Sequence, residues 1–184
     1  MAAIVGERRW RWPRASRHVL ASAACALLSA ACAGPSPGPT TSYQAAAIEA
    51  SQGGDQEKAI SLAQKEVAQF STPEQCSPTT NYNCGTLALA YGSLAEYQIL
   101  LGDKTAGENS FSRAKEALGR TAPANKASAT GMVYRDVSEA FWRVGDRARA
   151  VAVFKEGRAA GGDSWLFMSS AAAAIGQRPA AASP

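Results

Sequence analysis

Tyr134-Arg135-Asp136-Val137-Ser138-Glu139-Ala140-Phe141-Trp142-Arg143-Val144-Gly145-Asp146-Arg147-Ala148-Arg149-Ala150-Val151-Ala152-Val153-Phe154 is the stretch on which the reading of the fold turns. Tyr134, Val137, Ser138 and Phe141 recur at the spacing that places apolar and small side chains on one face of a helix. Ala150 and Phe154 continue a second such face beyond Gly145-Asp146. The break between the two has a local cause. Gly adopts the left-handed conformation that closes one helix, and Asp accepts hydrogen bonds from the free N–H groups that open the next. The stretch predicts two antiparallel helices joined by a tight turn.

The same marks recur along the chain. Tyr43, Tyr91, Tyr134 and Trp165 each precede a glycine by eleven positions (Gly54, Gly102, Gly145 and Gly176), in a chain only 8% aromatic. Asp55, Asp103 and Asp146 follow the first three glycines. Four residues on lie Ala59, Gly107 and Ala150, and four further on Ala63, Phe111 and Phe154. Reading from the aromatics, the third and fourth positions are Ala46-Ala47, Leu94-Ala95, Val137-Ser138 and Met168-Ser169. Self-similarity at this period predicts an all-α chain: a short solenoid of about three helical hairpins plus a C-terminal capping helix. An ordinary antiparallel bundle is the rival reading. The last segment favours the solenoid, because Asp163 or Ser164 can cap a single helix that stops near Gly176 without a partner.

This pattern of aromatic, small, Gly-Asp, Ala and Phe positions resembles the tetratricopeptide repeat, a family of ~34-residue helix-turn-helix units. The resemblance covers residues 42–70, 88–119 and 131–160, with a lone last helix at 164–176. Departures are the glycine spacings of 48 and 43, attributed to loops at 71–84 and 121–130, and Ala63 where an aromatic is usual. The resemblance implies a concave groove lined by first helices that takes a partner peptide or helix. Carried over by register, the groove residues are Gln44, Ile48 and Ser51 in the first unit, Glu96 and Ile99 in the second, and Met132, Arg135, Glu139, Trp142 and Arg143 in the third. Trp142 adjoins Phe141, and neighbours on a helix cannot share a face. Trp142 therefore either faces the groove, between Arg135 and Arg143, or packs against the last helix beside Trp165 or Phe167.

The formal charge of +4 comes from the start of the chain. Setting aside Arg8, Arg9, Arg11, Arg14, Arg17 and Glu7 leaves 14 basic and 14 acidic residues from residue 32 onward, so no basic surface for nucleic acid is expected. An Arg-rich beginning, an apolar run over 19–31 and small residues at its exit describe a secretory signal. Leu28-Ser29-Ala30-Ala31-Cys32 resembles a bacterial lipobox, with Leu28 four residues before Cys32 rather than three. Lipidation at Cys32 and ordinary cleavage after Ala31 or Ala33 both fit. If Cys32 is lipidated, the context resembles that of an outer-membrane lipoprotein. The expected organisation is a signal peptide at 1–31, a flexible linker at 32–41, the helical domain at 42–176 and a disordered tail at 177–184.

Cys76 and Cys84 share one Pro/Asn/Thr-rich loop, and in an exported chain they most simply form a disulfide, with free thiols as the alternative. Metal and cofactor are not expected. The single histidine, His18, lies in the leader, which removes Ser-His, Cys-His and His-metal chemistry from the mature chain. A carboxylate pair is the remaining catalytic option, and Glu96, Asp136 and Glu139 can approach one another near Arg135 and Arg143. Charge on helices is usually a solvated face. The expectation is a non-catalytic scaffold or assembly factor of the cell envelope that binds a partner protein, with a small-ligand carrier or accessory subunit of a periplasmic enzyme as runner-up.

Overall fold

Among residues 43–177 five glycines have positive φ, each one or two positions after a helix ends. The structure is a computed structural model that describes residues 43–177. The signal peptide, the linker, the lipidation position Cys32 and residues 178–184 of the tail lie outside the described residues. Within them are α1 (Gln44–Gln52), α2 (Gln56–Phe70), α3 (Cys84–Leu101), α4 (Lys104–Arg120), α5 (Pro123–Arg143), α6 (Arg147–Ala159), a 3-10 segment (Ser164–Met168) and α7 (Ser170–Ala174). No strand occurs among them. The chain is all-α, and its first six helices form three hairpins.

Each hairpin turn is built as the sequence predicts. Gly54, Gly102 and Gly145 have φ of 85°, 100° and 83°. The amide of the following Asp donates back to the last turn of the closing helix: Asp55 to the Ala50 carbonyl, Asp103 to that of Gln98 and Asp146 to that of Phe141, each at 2.9 Å. The same three Asp side chains accept from the backbone N–H groups of Lys58, Ala106 and Arg149 at 3.0, 2.9 and 3.2 Å. One dipeptide thus satisfies the carbonyls ending one helix and the N–H groups starting the next.

Packing between hairpins places α3 at the centre, against α2, α4 and α5, with α5 in turn against α6, the 3-10 segment and α7. The main core joins Phe111, Val133, Tyr134, Val137, Phe141, Val153, Phe154 and Leu166. A second, smaller cluster holds the first hairpin: Ala47, Ala50, Ala59 and Ala63 with Leu94 and Tyr97 of α3. Phe111 meets Tyr134 edge to face at 5.0 Å between centroids. Phe154, its equivalent one hairpin later, meets Phe167 in the same geometry at 5.6 Å. Tyr134 also requires Gly157, where an added Cβ would come within 2.7 Å of the tyrosine Cβ.

The outer helices α4 and α6 are bridged by charge. Lys104 pairs with Asp146 at 2.8 Å, Arg149 grips Glu108 through two bonds of 2.6 and 2.8 Å, and Lys115 meets Glu156 at 2.9 Å.

Three expectations are corrected. Residues 121–130 are mostly helix rather than loop: α5 begins at Pro123, whose fixed φ suits a first helical position, and Ala129 and Thr130 are buried. With α3 beginning at Cys84 and α5 at Pro123, Tyr91 and Tyr134 lie well inside their helices rather than near the starts that repeat units from 88 and 131 imply. The closing helix is not continuous, since Ser169 is extended and separates the 3-10 segment from α7. In the tighter 3-10 winding it is Phe167, not Trp165, that takes the packing position of Tyr134. Trp165 is left 41% exposed.

Cys76 and Cys84 are joined by a disulfide, with their Cα atoms 4.9 Å apart. The bridge ties the loop between α2 and α3 to the first residue of α3, and the Asn83 amide donates to the Gln75 carbonyl at 2.9 Å across it. Among the described residues no helix is long and apolar enough to cross a membrane.

Candidate functional site

α1 packs chiefly on α2, and the space between α1, α3 and α5 is open. This cleft has a volume of about 330 Å³ and is lined by Gln44, Ile48, Ser51 and Gln52 of α1, by Ser93, Glu96 and Tyr97 of α3, and by Arg135, Asp136 and Arg143 of α5. The α1 residues repeat at three- and four-residue spacings, as do Ser93 with Glu96 and Tyr97, so each helix turns one stripe to the opening.

Two carboxyls sit at its base. Burial holds the Glu96 carboxyl up at about 8, with the nearby Asp136 charge adding to the shift, while Arg143 and Arg135 oppose it. Asp136 is also raised, by burial, and Arg135 works against that. Their pairing differs sharply. Asp136 Oδ1 accepts from Arg135 Nε at 2.8 Å and lies 2.6 Å from its Nη2. Glu96 has Arg143 Nη1 at 4.0 Å as its ion-pair contact, and that arginine side chain is 52% exposed. Burial also raises the Tyr97 hydroxyl, which the Glu96 and Asp136 charges push further. The cleft thus presents one carboxyl held closely by an arginine and one, Glu96, that burial biases toward its protonated form.

The residues assigned to the groove by register are distributed as follows. Glu96, Arg135 and Arg143 line the cleft. Arg135 also lies under Trp165, its guanidinium 5.6 Å from the ring centroid, so the 3-10 segment joins the same surface. Ile99 is fully buried, in the core and not on the groove: α3 is enclosed by α2, α4 and α5, and Ile99 fills the space left by Gly107. Glu139 turns to α7, accepting from the Ser170 backbone N–H and hydroxyl, both at 2.9 Å. Trp142 takes neither placement fully. It is half-buried on the main core, with the Arg147 guanidinium 3.7 Å from its ring centroid, and it is not a wall of the cleft.

No family model, curated protein or solved structure matches this chain. The site thus stands on its own residues. Register alone did not assign Ser93, Tyr97 or Gln52 to the groove; the stripe Ser93, Glu96, Tyr97 was the available signal for the α3 pair. Among the described residues no group of three His, Cys, Asp or Glu side chains is placed to hold a metal ion.

Proposed function

We propose that this chain is a non-catalytic scaffold or assembly factor of the bacterial cell envelope, tetratricopeptide-like in its repeat, that receives a segment of a partner protein in the cleft between α1, α3 and α5. The observation that carries the reading is Glu96: a carboxyl largely but not wholly withdrawn from water, its side chain 22% exposed, in an open polar cleft, with its nearest cation 4.0 Å away. A desolvated, under-paired group facing an opening is what a binding site presents before its ligand arrives. Three hairpins of repeated construction support the repeat assignment, and the one under-committed carboxyl supports binding over catalysis, because the second, Asp136, is engaged by Arg135.

The Arg-rich leader and the lipobox-like run ending at Cys32 support export and an anchor on the periplasmic face of the outer membrane. Labelled fatty acid should enter the chain and be lost with Cys32→Ser; a soluble, unlabelled product would remove the anchor. The partner is tested by purifying the full chain from an envelope extract, beside Glu96→Gln and Arg143→Ala. A stoichiometric protein that is diminished by both substitutions is expected. A retained small molecule with no protein partner would overturn the scaffold reading.

A further inference from the structure

A second opening lies where α3 begins, with a volume of about 290 Å³, under the disulfide loop. Tyr82, Thr86, Leu89, Asn125 and Met132 are among its walls, and no Asp, Glu, Lys or Arg lines it. It shares its helices with the first cleft. On α3, Thr86 and Leu89 continue to Ser93 and Glu96, and on α5, Ser128 and Met132 continue to Arg135, at helical spacings that keep each set on one face. The two helices run in the same direction: Gly85 lies beside Ala129, Gly92 beside Val133, and Glu96 near Arg143. The openings are therefore the two ends of one strip along the seam between α3 and α5.

The ends differ in chemistry. At one, Asp136 is already held by Arg135, and Glu96 has no donor closer than Arg143 at 4.0 Å, so a ligand that brings its own donors completes the site. A cationic donor arriving beside the carboxyl favours its ionised form, and the resulting cation–carboxylate bond is the strongest such bond. At the other, a charge would lose water and find no counter-charge, whereas Leu89, Met132 and the Tyr82 ring offer contact to an uncharged side chain. Tyr82 is 84% exposed, two residues before Cys84, on a loop fixed by the disulfide. An aromatic held out to solvent on a rigid loop binds without the usual ordering cost.

Resting on the partner-groove reading above, we infer that the strip takes one extended peptide segment with unlike ends: a Lys or Arg side chain at Glu96, and an uncharged aliphatic or aromatic side chain over Leu89 and Met132 against Tyr82. The lining residues form one line along the α3–α5 seam, a course that an extended chain follows with alternate side chains turned to the wall. Leu89 and Glu96 are two helical turns apart, about 10 Å, a distance an extended chain covers in about three residues. The two anchors of the segment are accordingly about three residues apart.

The test is selection from a random dodecapeptide phage library on the purified full chain with the Cys76–Cys84 bond intact, followed by affinities of labelled synthetic copies. Enriched peptides should carry Lys or Arg about three residues from an uncharged aliphatic or aromatic residue. Their affinity should fall at least tenfold with Glu96→Gln and separately with Tyr82→Ala, an exposed position whose truncation leaves the fold intact. Peptides lost with Glu96→Gln but indifferent to Tyr82→Ala would overturn the strip and leave the groove reading standing, and enriched acidic peptides would overturn the charge assignment. No enrichment, or indifference to both substitutions, would remove strip and groove together.

Discussion

Glu139 and Ser170, thirty-one residues apart, are locked by two hydrogen bonds of 2.9 Å, from the serine N–H and hydroxyl to the two carboxylate oxygens. Ser170 is the first residue of α7, and Ser169 before it accepts from the Ala172 N–H at 3.3 Å. The closing helix is thus capped from within and from α5. Its five residues are too few to hold a helix alone, so the cap from α5 decides whether it docks. Glu139→Ala should cost about 1–2 kcal/mol in urea unfolding, with exchange protection of the Ala171–Ala174 amides falling first. Unchanged protection would show that α7 is held by its alanines alone.

The Tyr134–Gly157 contact sets the distance between α5 and α6. Gly157→Ala should destabilise by about 1–3 kcal/mol through overpacking, and Tyr134→Ala by about 3–5 kcal/mol through loss of a large buried side chain. Denaturant midpoints measure both. A Tyr134→Ala effect below about 1 kcal/mol would place the aromatic outside the core.

Reduction of Cys76–Cys84 should lower stability by about 2–3 kcal/mol, the entropy of closing a short loop in the unfolded chain. Mass spectrometry without reductant should find the two residues linked, and Cys76→Ala should lower the denaturant midpoint as reduction does.

The Glu96 carboxyl gives stability a pH dependence of definite sign. The native chain holds the proton up to about 8, while the unfolded chain releases it near 4.5. Between those values the native state binds more protons, so stability falls as pH rises. Asp136, raised in the same direction, adds to the slope. Glu96→Gln should remove most of it, becoming more stable than the wild type by on the order of 1–3 kcal/mol at pH 9 and by little at pH 4. Equal slopes for the two proteins in denaturation at pH 4, 7 and 9 would contradict the burial of this group.

The hairpin turns were legible in the sequence because their causes are local: a glycine free to take positive φ and an aspartate one residue later. Residues 121–130 were not, since Ala, Asn, Ser and Thr carry little apolar periodicity and their helix is settled by Ala129 and Thr130 meeting the rest of the fold. The break at Ser169 was hidden for a similar reason: Trp165-Leu166-Phe167-Met168 reads as helix, and the group that caps the shorter alternative is Glu139, far away in sequence. At the site, the charged residues were readable as a set, but their division was not. Ile99 shares a helical stripe with Glu96, and only the enclosure of α3 on three sides sends it inward.

The first hairpin packs through four alanines on Leu94 and Tyr97, with the partly buried Ile60, Leu62, Val67 and Tyr91 around them. Its helix α1 is also one wall of the cleft. One jaw of the opening is thus held mainly by small side chains, and its local release costs less than global unfolding. A partner that closes on α1 would be felt as stiffening there, in the slowed exchange of its amides, before any change in the core.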